Sequence, residues 1–194
     1  MSSICIFGDS TTWGAFDIEK GGWVQRLRTF IELSMEELTE IYNCGVSGDN
    51  TENLLMRFNN EAKSRKADKI IFAIGINDSS YIDSKNHLMV PIKKFRENLE
   101  LLIKQARGFT NDITFVGLTP VDDSKTKPWI ENIFYNNENI LKYNAIIESV
   151  AKENKLEFIS VYNLLTKDDL YDGLHPNSSG HQKIFETIKN KLLL

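Results

Sequence analysis

The sequence predicts an α/β fold in one domain spanning residues 1–194, with five parallel strands in a sheet wrapped on both sides by helices. Two observations carry this. Short apolar runs rich in β-branched and aromatic residues alternate with amphipathic helical stripes along the whole chain. The runs themselves are continuous, as expected of strands covered on both faces in a parallel sheet.

The first run, Ile4 to Phe7, leads straight into Gly8-Asp9-Ser10-Thr11. A loop is expected from Thr11 to Gly22, then a helix through about Met35 on the stripe Trp23, Leu27, Phe30 and Ile31. Glu40 to Asn43 reads as the second strand, followed by the glycine-rich turn Gly45 to Asn50. Thr51 is the expected cap of the next helix, whose stripe is Leu54, Leu55, Phe58 and Ala62. Lys69 to Ile74 is the clearest strand and reads as the central one. It ends in Gly75-Ile76-Asn77-Asp78, and a polar loop is expected from Ser79 to about Asn86.

Pro91 suits the first turn of a third helix, with Ile92, Phe95, Leu99, Leu102, Ile103 and Ala106 inward and Gly108 as the stop. Ile113 to Leu118 is the fourth strand. A long irregular stretch runs from Val121 to about Asn137, and a fourth helix follows on Ile140, Tyr143, Ile147, Val150 and Ala151. Leu156 to Val161 is the fifth strand. Loop or short helix leads to Asp172-Gly173-Leu174-His175-Pro176. Ser179 and Gln182 read as a capping box for the last helix.

Composition narrows the function. The chain is 41% hydrophobic and 26% charged, as in globular proteins. Its net charge, 23 − 27 = −4, provides no basic footprint for nucleic acid or anionic membrane, so neither partner is expected. No apolar run is long enough to cross a bilayer. The N-terminus shows no secretory pattern, which leads to the expectation of a cytoplasmic protein. Cys5 and Cys44 make no disulfide framework and are read as a reduced pair. Oligomeric state has no signature here.

In a parallel sheet every strand ends at the same edge, where ligands bind. Ser10, Gly48, Asn77 and the Asp172/His175 pair each follow a different strand, so the topology lets them converge. Each type suits one task in acyl transfer. A serine needs an adjacent base, which His175 supplies, and Asp172 would fix the imidazole's tautomer. The amides of Ser10 and Gly48 and the side chain of Asn77 would form an oxyanion hole.

With these blocks in this chain order, the sequence resembles the GDSL esterase/lipase family, the SGNH hydrolases. The resemblance covers Gly8-Asp9-Ser10, Ser47-Gly48-Asp49, Gly75-Ile76-Asn77-Asp78 and Asp172-Gly173-Leu174-His175-Pro176. Thr11 stands where the family often has Leu or Ile. The resemblance implies a flavodoxin-like three-layer α/β/α sandwich. It implies Ser10 as nucleophile, Asp172 and His175 completing the triad, and Ser10, Gly48 and Asn77 as the oxyanion hole. No metal or organic cofactor is implied. The partner is a small-molecule ester. The family includes short-chain carboxylesterases, lysophospholipases, thioesterases and carbohydrate deacetylases. With no room for a lid domain and a polar loop at Asp122–Lys127, small or short-acyl esters are the expected substrates.

Two other classes compete. Asp9, Asp49 and Asp78 fall on the same edge, as a metal-dependent phosphoesterase would need, although each also suits its turn. A non-catalytic binding module would be marked by loss of Ser10 or His175, and both are present. Trp13, Trp129, Phe134 and Tyr135 read equally as walls of a substrate pocket or as packing. His87 reads as a surface loop residue, His181 as a packing or solvated one, and Asp168/Asp169 as a solvated acidic pair or cap.

Overall fold

The computed structural model describes residues 2–34, 38–84 and 87–192. In chain order it contains β1 (Ser2–Gly8), α1 (Ser10–Trp13), α2 (Gly22–Ser34), β2 (Thr39–Gly45), α3 (Thr51–Arg65), β3 (Lys69–Ala73) and β4 (Tyr81–Ile82). Then come α4 (Ile92–Ala106), β5 (Ile113–Val116), β6 (Ile133–Phe134), α5 (Asn137–Glu153), β7 (Glu157–Ile159) and α6 (Ser178–Leu192). Two 3-10 turns, Tyr162–Leu164 and Lys167–Asp169, lie between β7 and α6. Met35 and Asn86, the expected ends of the first helix and of the polar loop, lie outside the described residues.

The main sheet has the order β2-β1-β3-β5-β7, with every pairing parallel. β3 is central, as expected. Strand alternation sorts the core into two layers. Cys5, Phe7, Ile70, Phe72 and Phe115 face α3, α4 and α5, whereas Ile6, Ile71 and Val116 face α2 and α6. Both layers are apolar, which is why β1, β3 and β5 read as unbroken hydrophobic runs. Cys5 and Cys44 are buried, free and on the same face of adjacent strands. No helix among the described residues is long and apolar enough to cross a membrane.

The chain steps from β1 outward to β2 and then returns to β3 on the other side. The gap between the ends of β1 and β3 is therefore the topological switch point of the sheet.

Several ends differ from the sequence reading. The expected loop after β1 opens with the helical turn α1, because the Asp9 carboxylate accepts the Thr11 amide and Gly14 closes the turn in the left-handed region. Asn50, not Thr51, caps α3: its side chain accepts the Glu52 and Asn53 amides, and the Asn53 side chain returns to the Asn50 N–H. The Ser179–Gln182 capping box does not form. Asn177 accepts the Gly180 amide instead, Ser179 turns to Asp169, and Gln182 accepts from Arg26. Pro91 stands just before α4 rather than inside it. β4 and β6, expected as loop, form an antiparallel ribbon with Tyr81 stacked on Phe134 at 5.1 Å.

Candidate active site

β1 delivers Ser10 by a tight turn that only glycine permits. A Cβ on Gly8 would sit 2.1 Å from Thr12 Oγ1 and 2.3 Å from the Ala73 carbonyl oxygen. Ser10 follows at once as the first residue of α1, almost fully buried. A backbone N–H at that position has no intrahelical acceptor.

The Ser10 hydroxyl oxygen lies 2.9 Å from Nε2 of His175. Nδ1 of the same ring lies 2.8 Å from Oδ2 of Asp172. An ionised carboxylate only accepts, so Nδ1 carries the proton and Nε2 is left to accept from the serine. The other carboxylate oxygen, Oδ1, receives the amides of Leu174 at 2.9 Å and His175 at 2.8 Å. Burial alone would raise the Asp172 carboxyl. Hydrogen bonds from the His175 ring and backbone, with the charge of His175 and the Leu174 amide, instead hold it well below the usual carboxylate range. The loop closes on itself through the Tyr171 amide, which donates to the His175 carbonyl at 2.8 Å. Such a chain of bonds can pass a proton from hydroxyl to imidazole while the ring stays oriented.

Across the cleft, Asn77 Nδ2 donates to the Asp49 carbonyl at 2.8 Å, which leaves its second N–H free to turn toward a ligand. Gly48 adopts φ +85°, in the left-handed region, and a Cβ there would meet nothing within 4 Å. Ser10, Gly48, Asn77 and His175 share one cleft of about 800 Å³.

Trp13, Trp129 and Tyr135 also line this cleft; Phe134 does not. Strand alternation explains the difference. Ile133 and Tyr135 face the cleft, and Phe134 points the other way onto Tyr81. Trp129 holds a position that local sequence rules do not reveal: its indole N–H donates to Asp172 Oδ2 at 3.0 Å. Phe16 likewise carries no sequence signal for its place in the site. It lies 5.0 Å from the His175 ring and stacks on Tyr171 at 4.6 Å.

Each of the three aspartates has its own partner. Asp9 caps α1, Asp49 pairs with Arg57 at 2.7 Å, and Asp78 takes the amide and hydroxyl of Thr51. Among the described residues, no group of three or more His, Cys, Asp or Glu side chains is arranged to hold a metal ion. Burial pushes Asp9 up to about 6 and Asp78 up to about 7. His181 is fully buried, accepting the Trp23 amide at Nδ1 and donating from Nε2 to the Ala15 carbonyl, so it is not a solvated residue. Asp169 is also buried, not solvated: it caps a 3-10 turn through Thr166 and pairs with Lys183. His87 is exposed.

Residues 6–183 match the GDSL-like Lipase/Acylhydrolase family. The chain is 25% identical over 202 residues to the isoamyl acetate-hydrolyzing esterase 1 homolog of Bos taurus, covering 94% of this chain and 78% of that protein. An uncharacterised lipoprotein of Bacillus subtilis is 29% identical over 173 residues, covering 85% of this chain and 65% of that one. Among solved structures, the lipase/acylhydrolase from Enterococcus faecalis aligns with a TM-score of 0.83 at 24% identity, over 99% of this chain and 95% of that chain. The acetylxylan esterase Axe2 from Geobacillus stearothermophilus aligns with a TM-score of 0.80 at 18% identity, over 100% and 94%. These structures share the three-layer fold. The family match runs from inside the first strand into the last helix: the chain belongs to the GDSL-like lipase/acylhydrolase family and is an ester-hydrolysing enzyme.

Proposed function

We propose that this enzyme is a serine carboxylester hydrolase that works through an acyl-enzyme on Ser10. The observation that carries this reading is the continuous bond chain Ser10 Oγ, His175 Nε2, His175 Nδ1, Asp172 Oδ2. His175 takes the hydroxyl proton as Oγ attacks the ester carbonyl, and Asp172 stabilises the imidazolium. The amides of Ser10 and Gly48 and Nδ2 of Asn77 receive the oxyanion. The imidazolium then gives its proton to the departing alkoxide, which leaves as the alcohol. Water, deprotonated by the same ring, attacks the acyl-enzyme and releases the acid and the free serine.

The preferred substrates are small, short-acyl and uncharged. Among the described residues, no Asp, Glu, Lys or Arg side chain lines the cleft. Asp9 adjoins the lining residue Ser10 and Asp172 is bonded to the lining residue His175, whereas Asp49 is paired with Arg57. An anionic headgroup, as in a lysophospholipid or a coenzyme A thioester, would meet repulsion without a partner. Ser47, Asn50, Asn53 and Ser80 are polar residues of the lining, and Trp13 and Phe16 are aromatic ones. This suits a neutral alcohol, including a carbohydrate hydroxyl. The Bos taurus relative is named for an acetyl ester, in keeping with a short acyl group.

A series of nitrophenyl esters of increasing acyl length tests the reading. Rates should fall as the chain lengthens and vanish in Ser10→Ala. A preference for long acyl chains would overturn the substrate assignment, and full turnover in Ser10→Ala would overturn the mechanism.

A further inference from the structure

The segment between β5 and α5 reaches both halves of the site. Thr126, fully buried, fixes its base: the hydroxyl bridges the carbonyls of Asp122 and Tyr135, and the Thr126 carbonyl accepts the Tyr135 amide at 2.9 Å. A turn closes its tip, with the Trp129 amide donating to the Ile133 carbonyl at 2.9 Å. Its own strand β6 pairs with β4, which ties the segment to the turn after β3. Two aromatic side chains leave this brace inward, edge to face, with ring centroids 5.9 Å apart.

Their polar atoms have separate targets. Trp129 Nε1 donates to Asp172 Oδ2, the oxygen that also faces His175. With the two amides on Oδ1, the carboxylate then has four donors and one orientation. The indole also meets the His175 ring edge to face at 5.5 Å. Tyr135, itself buried, donates its hydroxyl to Oδ1 of Asn77 at 2.9 Å. Rotating that amide by half a turn would bring Oδ1 against the Asp49 carbonyl and Nδ2 against the phenol. Both existing bonds oppose it, so the free N–H stays aimed at the cleft.

We propose that Trp129 and Tyr135 are positioning residues: the 126–136 brace fixes Asp172 through the indole N–H and Asn77 through the phenol, setting the carboxylate behind the base and the oxyanion donor from one element. This rests on the acyl-transfer reading above, because positioning matters only if Asp172 and Asn77 act in the reaction. It also differs from a pocket-wall role. A wall acts on substrate fit, so its loss moves KM. A positioning residue acts through its target, so its loss moves kcat and disappears when the target is absent.

The experiment is a double-mutant cycle on nitrophenyl acetate hydrolysis with wild type, Tyr135→Phe, Asn77→Ala and the double variant. Tyr135→Phe keeps the ring and removes only the hydroxyl. It should lower kcat about tenfold, below the cost of losing an oxyanion donor outright, with KM little changed. In the Asn77→Ala background it should cost less than about twofold. Equal losses in both backgrounds would overturn the proposal for Tyr135. Trp129→Phe supplies the second readout. Removing a donor from the carboxylate strengthens its field at the imidazole, so the acid limb of the kcat/KM profile should move to higher pH. A lowered rate with an unmoved limb means packing only and overturns the proposal for Trp129. Thermal unfolding of each variant identifies losses caused by misfolding. Wild-type turnover that survives Ser10→Ala would defeat the underlying reading instead, and is scored separately from the cycle.

Discussion

Asp78 and Thr51 join the two turns that carry Asn77 and Gly48, the proposed oxyanion donors. The Asp78 carboxylate, fully buried after β3, accepts the Thr51 amide at 3.1 Å to each oxygen and also the Thr51 hydroxyl. Asn98 on α4 donates to the same hydroxyl oxygen at 2.9 Å. Asn77 precedes the aspartate and Gly48 lies three residues before the threonine, so this contact sets the spacing between the two.

The contact predicts an unusual dependence of stability on pH. Burial holds Asp78 at about 7 and Asp9 at about 6, against an ordinary 3.8. The folded chain therefore keeps protons that the unfolded chain releases between about pH 4 and 7. Stability from this source is complete below about pH 4 and is lost as the pH rises through 6 and then 7. Asp17 and Asp169, held at about 2, act oppositely at lower pH, outside that window, and His181, which burial shifts below its ordinary value, acts oppositely within it. Between about pH 5 and 7.5, Asp78→Asn should remove a downward contribution to the urea midpoint, so that the midpoint falls less or rises more with pH than in the native chain. An unchanged slope in the variant would remove Asp78 as the source.

Asn77→Ala should lower kcat by about 10²–10³ with little change in KM, as for loss of one oxyanion donor. Steady-state kinetics on a soluble short-chain ester measures this. A loss under about tenfold would take Asn77 out of that role.

Arg26 pairs with Asp17 where both side chains are buried, and it also reaches the Ser178 carbonyl and hydroxyl at the start of α6. The pair anchors the loop that carries Ala15, Phe16 and Ile18 to the cleft. Arg26→Ala would leave the Asp17 charge buried without its partner and should cost about 3–5 kcal/mol. Urea unfolding at neutral pH tests this, and a cost under about 1 kcal/mol would contradict it.

Charge on the substrate should matter more than its size among short esters. A nitrophenyl ester ending in a free carboxylate should show kcat/KM at least about tenfold below its uncharged counterpart, with the gap narrowing in high salt. Equal rates would mean that the uncharged lining does not select.

Legibility in the sequence follows the range of the interactions. β1, β3 and β5 are covered on both faces by two apolar layers, so their residues form runs that stand out by themselves. Ser10, Gly48, Asn77 and His175 follow strand ends, and a parallel sheet brings such positions to one edge. The misreadings arise where several polar residues compete for one task. Asn50 displaces Thr51, and Asn177 displaces Ser179, because the alternatives are taken by distant partners, Asp78 and Asp169. The indole bond from Trp129 to Asp172 spans 43 residues, and no local pattern encodes it. β4 and β6 have two residues each, too few for a period to show.

Intact mass after treatment with a fluorophosphonate reads the activation of Ser10. One adduct is expected on the native chain, unaffected by a chelator, and none on Ser10→Ala. No adduct on folded native protein, or the same adduct on Ser10→Ala, would contradict it.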